Sequence, residues 1–263
     1  KYPVESSLMK SNEFVSRRKF NFFQSEKHFF EEVAESTGLI RDGQDKFCWC
    51  RHPLAFLVEA ADDICYHIVD FEDGYRLGIV SFEEIQELFS LIINSGAIVS
   101  KSKKFKDNRS KVEFLRAKAM QKLINEAKDC FLDNESSILA GEFEQELIST
   151  IPSAEHLKII KDRSVEIVYS NSRVLEIEAA GFEVANGILD LFFESALDVY
   201  RHNKNASAQS KKIMQIIPSQ FMPDELSSPY TIVLNILDYF SGMTDSFAVS
   251  LYKKIKGISL PGL

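Results

Sequence analysis

The chain has 263 residues, enough for one large domain or at most two, with 45% hydrophobic and 27% charged residues, an ordinary globular balance. Its 11 glycines and 7 prolines are few for an all-β or doubly wound fold, and its apolar residues recur at helical rather than alternating spacing, which predicts an all-α chain. A net charge of −8 argues against a main role in gripping nucleic acid.

The four cysteines fit a reducing cytosol better than a disulfide scaffold, and Cys48-Trp49-Cys50 alone does not make a zinc site. No run reaches the roughly 18 apolar residues of a membrane span, so the chain is expected to be cytoplasmic.

In chain order, a first helix is predicted from Ser25 to Gly38, after an aromatic cluster at Phe20, Phe22 and Phe23. The second opens at Pro53, a residue suited to a first helical position, and ends at Gly74 or Gly78. Ser81 followed by Glu84 is a capping-box pattern that opens a third helix, ending near Gly96. The basic stretch Lys101, Lys103, Lys104, Lys106, Arg109 and Lys111 reads as a solvated helix start. Further helices are expected near 112–132, 136–149, 153–169, 173–202 and 208–217. Pro218 and Pro223 bracket a loop, and a last helical stretch from 229 to 256 breaks near Gly242.

The informative segment runs from His52 to Tyr75. At about 100° per residue, with Asp62 as origin, Asp73, Glu59, Asp70 and Asp63 all fall within roughly 100°, opposite a back of Leu54, Leu57, Ala61, Ile64, Cys65, Ile68 and Phe71. An exposed helix face usually mixes signs, because like charges at i,i+4 are destabilising. Here no Lys or Arg stands between Arg51 and Arg76, yet six acids do. Either a divalent cation, a natural partner for hard carboxylate oxygens, or a basic neighbouring segment is needed to offset that charge. Asp62, Tyr66 and Asp70 follow one another at i, i+4 and i+8, a row about 12 Å long at 1.5 Å per residue, long enough to span a metal, a phosphate and a sugar. His67 points away from Asp62 and reads as structural, and His52 as a helix-start residue.

RHPLAFLVEAADDICYHIVDFEDG resembles the segment of HD-superfamily deoxyguanosine triphosphate triphosphohydrolases and related dNTPases that supplies the last metal-binding aspartate. KFNFFQSEK, the opening Lys1-Tyr2-Pro3 and the closing ILDYFSGMTDSFAVSLYKKI are also similar to family segments, so the likeness runs nearly end to end. It implies an all-helical HD-superfamily region over 1–263, with 1–100 the remainder of the catalytic core and 101–263 the C-terminal helical part. It implies hydrolysis of a dNTP, dGTP foremost, to deoxynucleoside and inorganic triphosphate with Mg or Mn, by homo-oligomers, hexamers among them. Asp62 takes the place of the fourth metal ligand. Tyr66 and Asp70 match the deoxyribose contacts, Lys19 and Lys1 the triphosphate contacts, and Glu178 with Tyr169 residues near the base. The family's His and His-Asp dipeptide have no counterpart, since none of His28, His52, His67, His156 and His202 precedes an Asp. The 263 residues alone are therefore expected to bind metal poorly and turn over little. The alternative is a non-catalytic regulatory or oligomerisation module.

Overall fold

A computed structural model describes residues 22–42, 48–222 and 228–259. Helices dominate it, and among the described residues the only β pairing is an isolated bridge between Arg41 and Trp49. The all-α expectation holds. The chain divides into two compact units, Lys1–Asn171 and Ser172–Leu263.

The first unit contains α1 (Lys27–Ser36), α2 (Pro53–Arg76), α3 (Phe82–Ile93), α4 (Gly96–Ser102), α5 (Asn108–Asp133), α6 (Glu135–Leu139) and α7 (Ala154–Arg163). α2 packs against both α3 and α5, and α3 against α5 and α7. Ile64, Ile68 and Phe71 of α2, Ile85 and Phe89 of α3, Leu115 and Leu123 of α5 and Ile160 of α7 are buried in one core. These side chains recur at three- and four-residue spacing, which places them on one stripe of each helix. A smaller cluster of Phe22, Ala34 and Trp49 joins α1 to the Cys48–Cys50 segment.

The start of α2 is fixed by His52, whose Nδ1 accepts from the Leu54 amide at 3.2 Å, followed by Pro53 in the first turn. The helix runs through Gly74 and stops at Gly78, whose φ of +74° suits a residue without a Cβ. Ser81 caps α3 by accepting from the Glu84 amide at 3.1 Å. The reciprocal half of the expected capping box is absent, because the Glu84 carboxylate turns to Arg163 of α7. α3 ends at Asn94, in the left-handed conformation, and Gly96 begins α4, a helix missed in the sequence. The helix expected over 136–149 is only Glu135–Leu139. Gly141 then turns with φ +74°, and a Cβ there would lie 2.8 Å from Cys50 Sγ, so the chain passes too close to that thiol for another residue. The basic stretch forms the end of α4 and the start of α5. There Arg109 pairs with Glu113 at 3.2 Å, and the Lys111 ammonium lies 5.4 Å from the Phe82 ring centre.

The second unit comprises α8 (Ser172–His202), α9 (Ala208–Met214), α10 (Pro229–Ser241) and α11 (Asp245–Ile255). Its own core is built from Ile188, Phe192, Met214, Ile232, Ile236 and Leu251. The expected break lies at Gly242, and Thr244 recaps the chain by accepting from the Phe247 amide at 3.3 Å. Asp198 of α8 ties down the start of α9 by accepting from the Ser207 amide at 3.0 Å, and it also bonds His202 at 2.8 Å.

Candidate functional site

The candidate residues lie mostly on α2. Three of its six acids are held by arginines at or beyond the ends of the acidic run. Arg51 forms a two-pronged pair with Glu59, one contact at 3.2 Å. Arg76 pairs with Asp73 at 3.3 Å and with Glu72 at 3.0 Å, and Arg116 of α5 reaches Glu72 at 2.7 Å. Glu72 is 2% exposed, so this is a buried carboxylate between two guanidiniums. The basic neighbours foreseen as one way of offsetting the charge therefore account for half of it.

Of the other three, Asp70 accepts from Tyr169, and Asp62 and Asp63 remain. Among the described residues neither forms a hydrogen bond or ion pair. Asp62 is exposed and lines an open cleft of about 610 Å³ with Phe30, Val33, Trp49, Arg51 and Glu59. Asp63, about 100° further round the helix, lines a separate pocket of about 210 Å³ with His67, Glu146, Lys158 and Lys161. Burial holds the Asp63 carboxyl above the usual range, and the charges of Glu146, Glu59 and Asp62 add to it. Among the described residues no three His, Cys, Asp or Glu side chains converge as a metal site. A hard, unpartnered carboxylate such as Asp62 suits Mg or Mn as one ligand, and the remaining ligands would have to come from elsewhere.

Further along α2 the structure brings together three residues singled out in the sequence. The Tyr169 hydroxyl donates to Asp70 Oδ2 at 2.8 Å. The Tyr66 and Tyr169 ring centres lie 5.9 Å apart. Burial pushes the Tyr169 phenol well above its ordinary value, with the neighbouring Tyr66 and Asp70 adding to the shift, so it stays protonated and donates. Tyr66 is 52% exposed, so this end of the row is open to a ligand.

Tyr169 is delivered by an unusual stretch. α7 continues into a π-helical turn, Ser164–Val168, and the Tyr169 amide donates to the Ser164 carbonyl at 2.9 Å, five residues back. Such turns are rare and recur at functional sites. Glu178 stands exposed on α8, in the second unit. Lys1 and Lys19 lie outside the described residues.

Sequence reasoning missed Lys161 and the isolation of His67. Lys161 is near enough to lower the proton affinity of both Asp63 and His67. His67 is buried and its Nδ1 has no hydrogen-bond partner. Neither has a local signal, because both depend on α7 folding onto α2 from about a hundred residues away. None of the four thiols is in a disulfide, and burial raises that of Cys50, which makes it a poor nucleophile.

No family model matches the chain. It is 38% identical over 266 residues to a deoxyguanosinetriphosphate triphosphohydrolase-like protein of Synechocystis, an alignment covering 99% of this chain and 58% of the relative. A protein of the same description from Listeria monocytogenes is 26% identical over 98% of the chain and 58% of its own length. A deoxyguanosinetriphosphate triphosphohydrolase of Yersinia pestis is 26% identical over 90% of the chain and 54% of its own length. The chain thus spans a little over half the length of the curated relatives it matches. With nearly all of its residues aligned to them, the chain belongs to the deoxyguanosine triphosphate triphosphohydrolase-like family.

Proposed function

We propose that this chain is part of a metal-dependent hydrolase that converts a dNTP, dGTP foremost, to deoxynucleoside and inorganic triphosphate. The observation that carries the reading is the row Asp62, Tyr66 and Asp70 along one helix, closed at its far end by Tyr169. The names of the relatives support the substrate class.

In this reading Asp62 holds a divalent cation, Mg or Mn, as one ligand of several. When bound, that cation supplies positive charge at the phosphate under attack. Asp70 accepts from a sugar hydroxyl, Tyr66 lies alongside the sugar, and Tyr169 keeps Asp70 aimed by donating to it. Lys19 and Lys1 offset triphosphate charge, and Glu178 lies by the base.

The whole gene product, given each dNTP with Mg²⁺ or Mn²⁺, is expected to release deoxynucleoside and unbroken triphosphate. Release of dNMP and pyrophosphate instead would refute the reaction. This chain by itself is expected to show little turnover, because Asp62 lacks companion ligands among the described residues.

Homo-oligomerisation is part of the proposal. Ile177 and Phe182, on the first half of α8, are 74% and 71% exposed, and Leu175 nearby is also exposed. Apolar side chains left in water along one helix are a common mark of a protein interface. Light scattering on the whole gene product is expected to give more than one copy, and Phe182→Glu to reduce it.

A further inference from the structure

We propose that Gly74 is a positioning residue, which seats the π turn on α2 and so fixes Tyr169 against Asp70, setting how selectively the site takes a 2′-deoxy sugar. This rests on the reading that Tyr66, Asp70 and Tyr169 hold the sugar.

Gly74 lies inside α2, one turn beyond Asp70, where a glycine costs stability relative to alanine. It does not end the helix, and its φ is not in the left-handed region. Its use is close approach. A Cβ at position 74 would stand 2.7 Å from Val168 Cγ2 and 3.0 Å from Val80 Cγ2. Val168 is the last residue of the π turn and 5% exposed, and Tyr169 follows it directly. Two consecutive residues of the incoming segment thus meet two consecutive turns of α2: Val168 on Gly74, and Tyr169 on Asp70.

That double contact fixes both translation and rotation of the segment. The π turn adds one residue to a helical turn, and one residue is about 100° of rotation in an ordinary helix. Without the extra residue, Tyr169 would face elsewhere. Without the missing Cβ, Val168 could not sit low enough for the Tyr169 hydroxyl to reach Asp70 at 2.8 Å. A small displacement matters because hydrogen bonds weaken steeply as their geometry departs from the optimum.

The test compares wild type with Gly74→Ala, Val168→Ala and the double variant, in the whole gene product. Steady-state kcat and KM are measured for a dNTP and its ribonucleotide, with thermal melting alongside. Gly74→Ala is expected to raise KM for the dNTP about tenfold with a smaller effect on kcat, and to lower the deoxy-to-ribo preference. The double variant, which removes the Val168 methyls that clash most closely and leaves only the looser approach of Val80, is expected to recover most of that preference. Val168→Ala alone leaves the seat unfilled and is expected to loosen selectivity while remaining folded, so the proposal stays testable if Gly74→Ala does not fold. A lowered melting temperature with unchanged selectivity in the variants would overturn it.

If wild type turns over no nucleotide, the functional reading fails and the positioning device is judged separately. ¹³Cζ-tyrosine NMR, with Tyr169 assigned through Tyr169→Phe, then reports the phenol through the ordinary tyrosine ionisation range, about pH 10. Tyr169 is expected to stay protonated there in wild type and to ionise with the other tyrosines in Gly74→Ala and Val168→Ala. Indistinguishable behaviour of wild type and variants would overturn the device.

Discussion

His67 shows how a single buried ring couples the site to pH. Burial lowers its proton affinity below the ordinary imidazole value of about 6.5, the nearby Lys161 charge lowers it further, and Asp70 opposes them. The unfolded chain therefore binds the proton more readily than the folded one. The contribution to stability is complete above the ordinary value and is lost as pH falls through it toward the folded value. Denaturant unfolding of this chain is expected to show stability declining from neutral pH downward, and His67→Leu to flatten that decline. An unchanged slope in the variant would mean that His67 does not carry it. The sequence showed that His67 faces away from Asp62. It gave no sign that Nδ1 would lack a partner, because that depends on which groups of α7 and the 146–149 segment arrive beside it.

At the scale of helices, the buried Glu72 and the glycine contacts decide how α2 and α8 pack. Glu72 is shared by Arg76 and Arg116. Arg116→Met leaves Arg76 in place, so the expected loss is about 2 kcal/mol, below the roughly 3–5 kcal/mol seen when a buried charge loses its partner outright. Urea unfolding followed by circular dichroism would check it. In the second unit, a Cβ at Gly187 would lie 2.5 Å from the Tyr252 ring, where α8 and α11 cross. Gly187→Ala is therefore expected to destabilise that unit by about 1–3 kcal/mol through overpacking, despite alanine's better helix propensity. A neutral or stabilising result by the same measurement would show that the ring moves aside freely.

Helix positions were legible where local chemistry sets them. Pro53 at the head of α2, Ser81 before α3 and the break at Gly242 stand as the sequence reading placed them. The errors share a cause. Glu84 leaves its capping role for Arg163, and Gly141 turns against Cys50, and both partners are distant in the chain. Gly74 was a possible helix end in the sequence, and only the approach of Val168 gives it another use.

For the molecule as a whole, family membership was legible because the motifs of α2 and α11 are local strings. The acidic face was legible as a face, but not its division into carboxylates held by arginines and carboxylates left open. That division depends on Arg51, Arg76 and Arg116 folding back onto α2, and it leaves Asp62 and Asp63 as the pair without partners among the described residues. The two compact units have separate cores, so their unfolding need not be a single cooperative step. A calorimetric scan is expected to resolve two transitions, with Gly187→Ala moving only one of them.

The most direct test of the proposed site is triphosphate release from dGTP by the whole gene product with Mn²⁺, comparing Asp62→Ala with Asp63→Ala. Asp62 lines the open cleft and Asp63 a different pocket. Release is expected to be lost in Asp62→Ala together with bound metal, and Asp63→Ala to keep its metal and much of its activity. Full activity in Asp62→Ala, or loss of metal only in Asp63→Ala, would contradict it.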